Sequence, residues 1–146
     1  MRPEFMEEAL SLARIAAAAG EVPVGCVVTR AGEIIGRGYN LRETRGSALA
    51  HAEILAIDEA CKAAGLWRLS DCELYVTLEP CPMCAGAIIN ARIPRVFFGA
   101  RDEVSGACGS VLNLFEERFN HKPAIVGGIM AEESAGLLRE FFKSLR

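Results

Sequence analysis

The chain has 146 residues, 51% hydrophobic and 24% charged, with 16 Lys plus Arg against 19 Asp plus Glu for a formal net charge of −3. A chain of this size is expected to form one domain over residues 1–146, with roughly 7,000 Å² of surface left from about 23,000 Å² unfolded, a core that needs no disulfides. The composition excludes a disordered chain, no apolar run reaches the roughly 18 residues of a membrane span, and the acidic balance excludes a protein that coats phosphates over its whole surface. Any RNA contact has to be local. The first ten residues carry Glu4, Glu7 and Glu8 and no secretory pattern, so the six cysteines are expected in a reducing cytoplasm, as free thiols or metal ligands.

Residues 3 to 19 open with Pro3 and acids and place Phe5, Met6, Ala9, Leu12, Ala13 and Ala16 at spacings of three and four before Gly20, which predicts an amphipathic helix. Val24 to Thr29 and Glu33 to Tyr39 are β-rich runs around Arg30-Ala31-Gly32, an antiparallel hairpin, followed by a polar loop from Asn40 to Ser47. A helix is expected over His51–Ala64 with Gly65 as its stop, then a strand over Cys72–Leu78 from its alternation. A buried helix over Pro82–Ala91, a strand over Arg95–Gly99, a weaker strand over Ala124–Gly128 and a final helix over Ala131–Leu145 complete the order α-β-β-α-β-α-β-β-α. That order implies an α/β fold, a mixed sheet with helices on its faces.

The strongest signal is His51-Ala52-Glu53 together with Pro80-Cys81-Pro82-Met83-Cys84. Cys81 and Cys84 lie one turn apart at a helix start, where two sulfurs can face one ion, and His51 at another helix start can add a nitrogen. Two thiolates and an imidazole suit zinc, and three protein ligands leave the fourth tetrahedral position open, as catalysis requires. Glu53, two residues beyond His51, belongs near the metal without binding it, placed to move a proton from the attacking water to a substrate nitrogen.

His-x-Glu followed by Pro-Cys-x-x-Cys resembles the zinc-dependent nucleobase deaminases. Gly20-Glu21-Val22-Pro23-Val24-Gly25, Tyr39-Asn40, Thr77-Leu78-Glu79-Pro80-Cys81, Phe98-Gly99-Ala100-Arg101-Asp102, Phe119-Asn120-His121 and Phe141-Phe142 extend the resemblance over nearly the whole chain, toward the bacterial tRNA-specific adenosine deaminases. It implies the cytidine-deaminase-like three-layer fold with a mixed five-stranded sheet, one Zn²⁺ per chain, a homodimer, and conversion of the wobble adenosine of a tRNA anticodon stem-loop to inosine. Carried over by position, Asn40 would hold the nucleoside, the Ala52 backbone would contact the base, Val22 would line the pocket, Asp102 would sit near the ribose, and Asn120 and Phe142 would contact neighbouring nucleotides. Arg37, Arg42, Arg45, Arg118, Lys122, Arg139, Lys143 and Arg146 fall in the same segments. Ala48-Leu49-Ala50 stands where the resemblance leads one to expect Pro-Thr-Ala, and Glu103-Val104 where it leads one to expect a lysine.

Other readings stay open at this level. Cys-x-x-Cys alone is also a structural zinc or thioredoxin-type motif, and His121, Cys61, Cys72 or Cys108 could close a four-ligand structural site in a zinc-stabilised binding module. A free-base or nucleoside deaminase acting on guanine, cytosine or cytidine would use the same metal motif. Cys26, Cys61, Cys72 and Cys108 read as small buried hydrophobes, Trp67 as core, His121 as a hydrogen-bonding loop residue, and one of Phe141 and Phe142 as core with the other partly exposed. The helix after Cys84, apolar at Ala85, Ala87, Ile88, Ile89 and Ala91, carries more apolar surface than one sheet face should cover, which also points to a dimer.

Overall fold

The computed structural model describes residues 1–145 and buries the chain to 7,435 Å² of accessible surface. Helix α1 (Pro3–Ala18) starts with proline in its first turn and Glu4 near its positive end. Strands β1 (Gly25–Arg30) and β2 (Glu33–Tyr39) pair antiparallel. Their turn has only two residues, Ala31 and Gly32, both at positive φ (52° and 80°), the geometry that matches the twist of a hairpin. The loop after β2 contains a single helical turn, α2 (Arg42–Arg45), that the polar composition of residues 40–47 did not signal.

Helix α3 (Ala52–Ala64), strand β3 (Cys72–Leu78), helix α4 (Pro82–Ala91), strand β4 (Arg95–Ala100), strand β5 (Ala124–Val126) and helix α5 (Ala131–Ser144) follow. A 3₁₀ turn at Leu114–Glu116 interrupts the long β4–β5 connection. The sheet order is β2-β1-β3-β4-β5, with β1 antiparallel to β2 and β3, and β3, β4 and β5 parallel.

The period of two in the strands separates two cores. Val27, Tyr75 and Phe97 point to one face, where Phe5, Met6, Ala9 and Leu10 of α1 cover them, with Leu137 of α5 at the margin. Cys26, Val28, Leu74, Val76, Val96 and Phe98 point to the other, under α3 and α4. The result is the mixed sheet with helices on both faces read from the element order, in the three layers that the resemblance implies.

Four packing expectations are corrected. Trp67 is 61% exposed, its ring against the Arg68 and Arg92 guanidinium groups. Neither Phe141 nor Phe142 is core: α5 buries only Ser134 fully, and the two rings pack edge-on with Phe142 half-exposed. Cys26, Cys72 and Cys108 are buried, whereas Cys61 is partly exposed. On α4, Ala85, Ile88, Ile89 and Ala91 are covered within the chain, so that helix presents less apolar surface than its composition suggested.

Candidate active site

Parallel α/β sheets place their functional crevices outside the carboxyl ends of the strands. Here β3 runs through Glu79-Pro80 straight into α4, whose N-cap is Cys81, and α3 starts beside it with His51 as its N-cap. Helix α3 sits close on β2 because two glycines face it. A Cβ on Gly38 would lie 2.3 Å from the Ala52 carbonyl, and one on Gly36 would lie 2.2 Å from the Ala56 carbonyl. Only a bare backbone allows this approach.

Two helix starts are thereby brought together. His51 Nδ1 lies 3.7 Å from Cys81 Sγ and 3.6 Å from Cys84 Sγ, and the three donor atoms all lie within 4.8 Å of one another. A tetrahedral zinc ion, with Zn–N near 2.0–2.1 Å and Zn–S near 2.3 Å, sets its nitrogen and sulfur ligands about 3.6 Å apart. The donor set therefore fits that ion in chemistry and in spacing. Among the described residues no fourth His, Cys, Asp or Glu joins the group. His121, one sequence candidate, instead bonds the Ile93 carbonyl through Nε2 at 2.8 Å.

The electrostatics of the group suit a cation. The hydrogen bond from the Cys84 thiol, aided by His51, brings Cys81 down to about 4 against its burial, while the same bond and burial push Cys84 upward. The hydrogen bond to Cys81 raises His51. The three side chains thus share protons that a metal would displace. Cys81 and His51 also stand at positive helix ends, where negative charge is favoured.

Glu53, 4% exposed, sits in the first turn of α3 outside the ligand group. Burial, reinforced by the Cys81 thiolate, raises its carboxyl to about 7. A cation at the three donors would draw it back down.

A cleft of about 580 Å³ opens over these residues, lined by Val22, Val24, Asn40, Arg42, Ala52, Leu78, Glu79, Asp102 and Ser105 as well as His51, Glu53 and Cys81. The fold thus brings Val22, Asn40, Ala52 and Asp102 to one cavity with the ligand group. Asn40 Nδ2 donates to the Val22 carbonyl and its Oδ1 accepts from the Arg42 amide, leaving one proton and one lone pair uncommitted. Asp102 closes a turn: Oδ1 accepts from the Val104 and Ser105 amides at 3.0 and 3.1 Å, and Oδ2 from Ser105 Oγ at 2.8 Å.

Asn120 and Phe142 do not line this cleft. Asn120 is exposed on the long β4–β5 connection, and Phe142 borders a separate shallow groove with Leu138, Arg139 and Lys143. Of the basic residues, Arg42 is at the cleft, Arg37 pairs with Glu8 and Arg139 with Glu132, and Arg146 lies outside the described residues.

Two buried carboxylates were missed as individuals. Glu21 (1% exposed) accepts the Glu43 and Thr44 amides at 3.1 and 2.6 Å, fastening α2 and hence Arg42. Glu79 (2% exposed) accepts from the segment after β4. Their signal was weak but present: each is a lone acid between apolar residues and a proline, with no basic neighbour in sequence.

Comparison with known proteins covers the same span. The family model for MafB19-like deaminases matches residues 2–146. The tRNA-specific adenosine deaminase of Bacillus subtilis is 54% identical over 143 residues, which is 97% of this chain and 89% of that protein. A solved structure from work on A-to-I editing by tRNA:A34 deaminases at the wobble position of transfer RNA superposes with a TM-score of 0.91 at 44% identity, covering 94% of this chain and 100% of its own. The guanine deaminase of Nitrosomonas europaea shares the fold with a TM-score of 0.85 but only 26% identity, over 97% of this chain and 84% of its own. At that extent and identity, the chain belongs to the MafB19-like deaminases and to the family of the tRNA-specific adenosine deaminases.

Proposed function

We propose that residues 1–146, acting as one deaminase domain, hydrolyse the wobble adenosine of a tRNA anticodon to inosine. One observation carries this reading. A His51–Cys81–Cys84 donor group of zinc spacing lies in a cleft with a buried, non-ligating Glu53, in a chain 54% identical to a tRNA-specific adenosine deaminase.

His51 Nδ1, Cys81 Sγ and Cys84 Sγ would hold one Zn²⁺. When bound, it supplies a Lewis acid that makes water a nucleophile at neutral pH. Glu53 accepts a proton from the attacking water and passes it to N1 of the purine. It then moves the second water proton to the amino group; the C6–N6 bond breaks, ammonia leaves, and the new C6–O bond becomes the carbonyl of inosine. The Ala52 amide, one of the first-turn donors that α3 leaves unbonded, faces the base. Val22 packs the base, Asn40 holds the nucleoside through its spare proton and lone pair, and Asp102 orders the wall beside the ribose. Asn120 and Phe142, outside the cleft, contact flanking nucleotides.

An open cleft with Arg42 at its edge favours a polymeric substrate over an enclosed free base. Arg45, Lys122 and Lys143, none of which lines the cleft, would carry further backbone contacts outside it. A homodimer is supported by a shallow apolar groove left between α3 and α4, lined by Ile54, Ile57, Trp67 and Ala87. A cytoplasmic site fits the tRNA substrate and the free cysteines. Among the described residues no helix is long and apolar enough to cross a membrane.

The decisive experiment incubates zinc-loaded protein with an anticodon stem-loop bearing a wobble adenosine and, separately, with guanine, cytosine, cytidine and adenosine. Inosine in the stem-loop, read by mass, is the expected result. Turnover of a free base or nucleoside with none on the stem-loop would replace this reading with a small-substrate deaminase, and no reaction at all would favour a structural zinc module.

A further inference from the structure

The wall of the cleft that carries Asp102 and Ser105 is built around a buried anion. Glu79 Oε1 accepts the Asp102 amide at 3.0 Å and the Ser110 hydroxyl at 2.5 Å, and Oε2 accepts the Cys108 and Ser110 amides at 3.0 and 3.1 Å. Four donors from one nine-residue segment therefore occupy the full acceptor capacity of the carboxylate. No salt bridge joins it to a cation among the described residues. The segment is shaped to receive it: a Cβ on Gly106 would lie 2.4 Å from the Glu79 carboxylate. The Ala107 amide adds a bond to the Pro80 carbonyl at 2.8 Å.

We propose that Glu79 is a positioning residue for substrate binding, the post around which residues 102–110 wrap so that Asp102 and Ser105 stand at a fixed height beside the bound nucleoside. This deepens the function proposed above and rests on it for the identity of the substrate. Glu79 acts through the segment it holds, while the ligand group and Glu53 are carried by α3 and α4. The loss of Glu79 therefore weakens substrate binding more than the chemical step.

Glu79→Gln replaces one acceptor oxygen by an amide nitrogen. Whichever way the amide turns, at least one backbone N–H then faces another donor. In the zinc-loaded protein the variant should keep wild-type metal content. Amide exchange should be faster in residues 101–111 and unchanged in residues 40–50. With the substrate that the wild type deaminates, KM should rise about tenfold, the loss expected when a positioning contact is released, while kcat stays within about threefold. Ser110→Ala removes one of the four donors and should move exchange and KM the same way by less. In the double variant KM should be no worse than in Glu79→Gln alone, since both act on one contact.

Unchanged exchange in 101–111, or faster exchange with an unchanged KM, would overturn the proposal, as would a fall in kcat with no rise in KM. If Glu79→Gln does not fold, Ser110→Ala decides by the same two readouts. A wild type inert on the stem-loop but active on guanine or cytidine would sink the tRNA reading alone, and the same split measured on that substrate would still decide the role of Glu79.

Discussion

Gly38→Ala perturbs the site through the fold, at a position whose side chain would never meet substrate. In a strand, alanine in place of glycine is ordinarily favourable by about 0.5–1 kcal/mol, because less backbone entropy is lost. Here the new Cβ would stand 2.3 Å from the Ala52 carbonyl and 2.8 Å from the Ala56 amide, whereas ordinary contact begins at 3.4 Å. Relief requires α3 and β2 to separate by about 1 Å, the difference between those two distances. Overpacking on this scale costs about 1–3 kcal/mol, and a domain of this size loses about 2–4 °C of Tm for each. The displaced helix carries His51 and Glu53, while Cys81 and Cys84 stay with α4. A misplacement of about 1 Å can cost 10²-fold in rate. The assay is zinc affinity by competition with a chelator, turnover of the stem-loop and Tm, with Gly86→Ala as control. Gly86 has nothing within 4 Å of a built Cβ, so that change inside α4 should stabilise by about 0.5–1 kcal/mol. A Gly38→Ala protein with wild-type zinc affinity and turnover would refute the idea that this close approach sets the ligand geometry, and would mean that edge strand β2 yields instead.

Glu53→Gln should keep fold and zinc while losing about 10²- to 10⁴-fold in turnover, and a near-wild-type rate with full zinc content would remove Glu53 from the proton path. Glu21 gives a pH prediction: its burial raises its carboxyl, but hydrogen bonds from Thr44 and the Glu43 amide outweigh that and leave it lowered. Its contribution to stability is complete above the unfolded value, about 4.3, and is lost as pH falls through the lower folded value. Glu21→Gln should therefore be less stable by about 1–3 kcal/mol at pH 7, with the two proteins converging in acid; parallel urea unfolding curves at pH 7 and pH 3 check it, and a constant gap would contradict it. Changing Arg42, Arg45, Lys122 and Lys143 together to alanine should flatten the salt dependence of stem-loop binding by about 0.7 log units per log of salt for each phosphate no longer neutralised, with kcat nearly intact. An unchanged slope would take these four side chains off the RNA path.

The chemistry was legible in sequence because its parts are local. His-Ala-Glu and Pro-Cys-Pro-Met-Cys each occupy a helix start, where spacing alone decides which donors share a face, and His51 and Cys81 are indeed N-caps. Strand β3 and helix α4 matched residue for residue, because alternation and helix-forming runs bounded by proline report backbone period directly. Exposure was less legible. Trp67 and one of the pair Phe141 and Phe142 look like core by composition, yet whether an apolar ring is covered depends on what packs over it from elsewhere in the chain. The same holds for the polar groups that shape the cleft. Nothing local shows that Glu79 meets amides 23 to 31 positions away, or that Gly38 lets α3 approach a strand 14 residues before it. Those partners are chosen by the stacking of helices on both faces of the sheet, and burial then makes them obligatory, since a carboxylate removed from water needs every donor it can reach. The sequence by itself determined the reacting groups and the elements that carry them, and only the tertiary structure decided the distances between them and the walls that face the substrate.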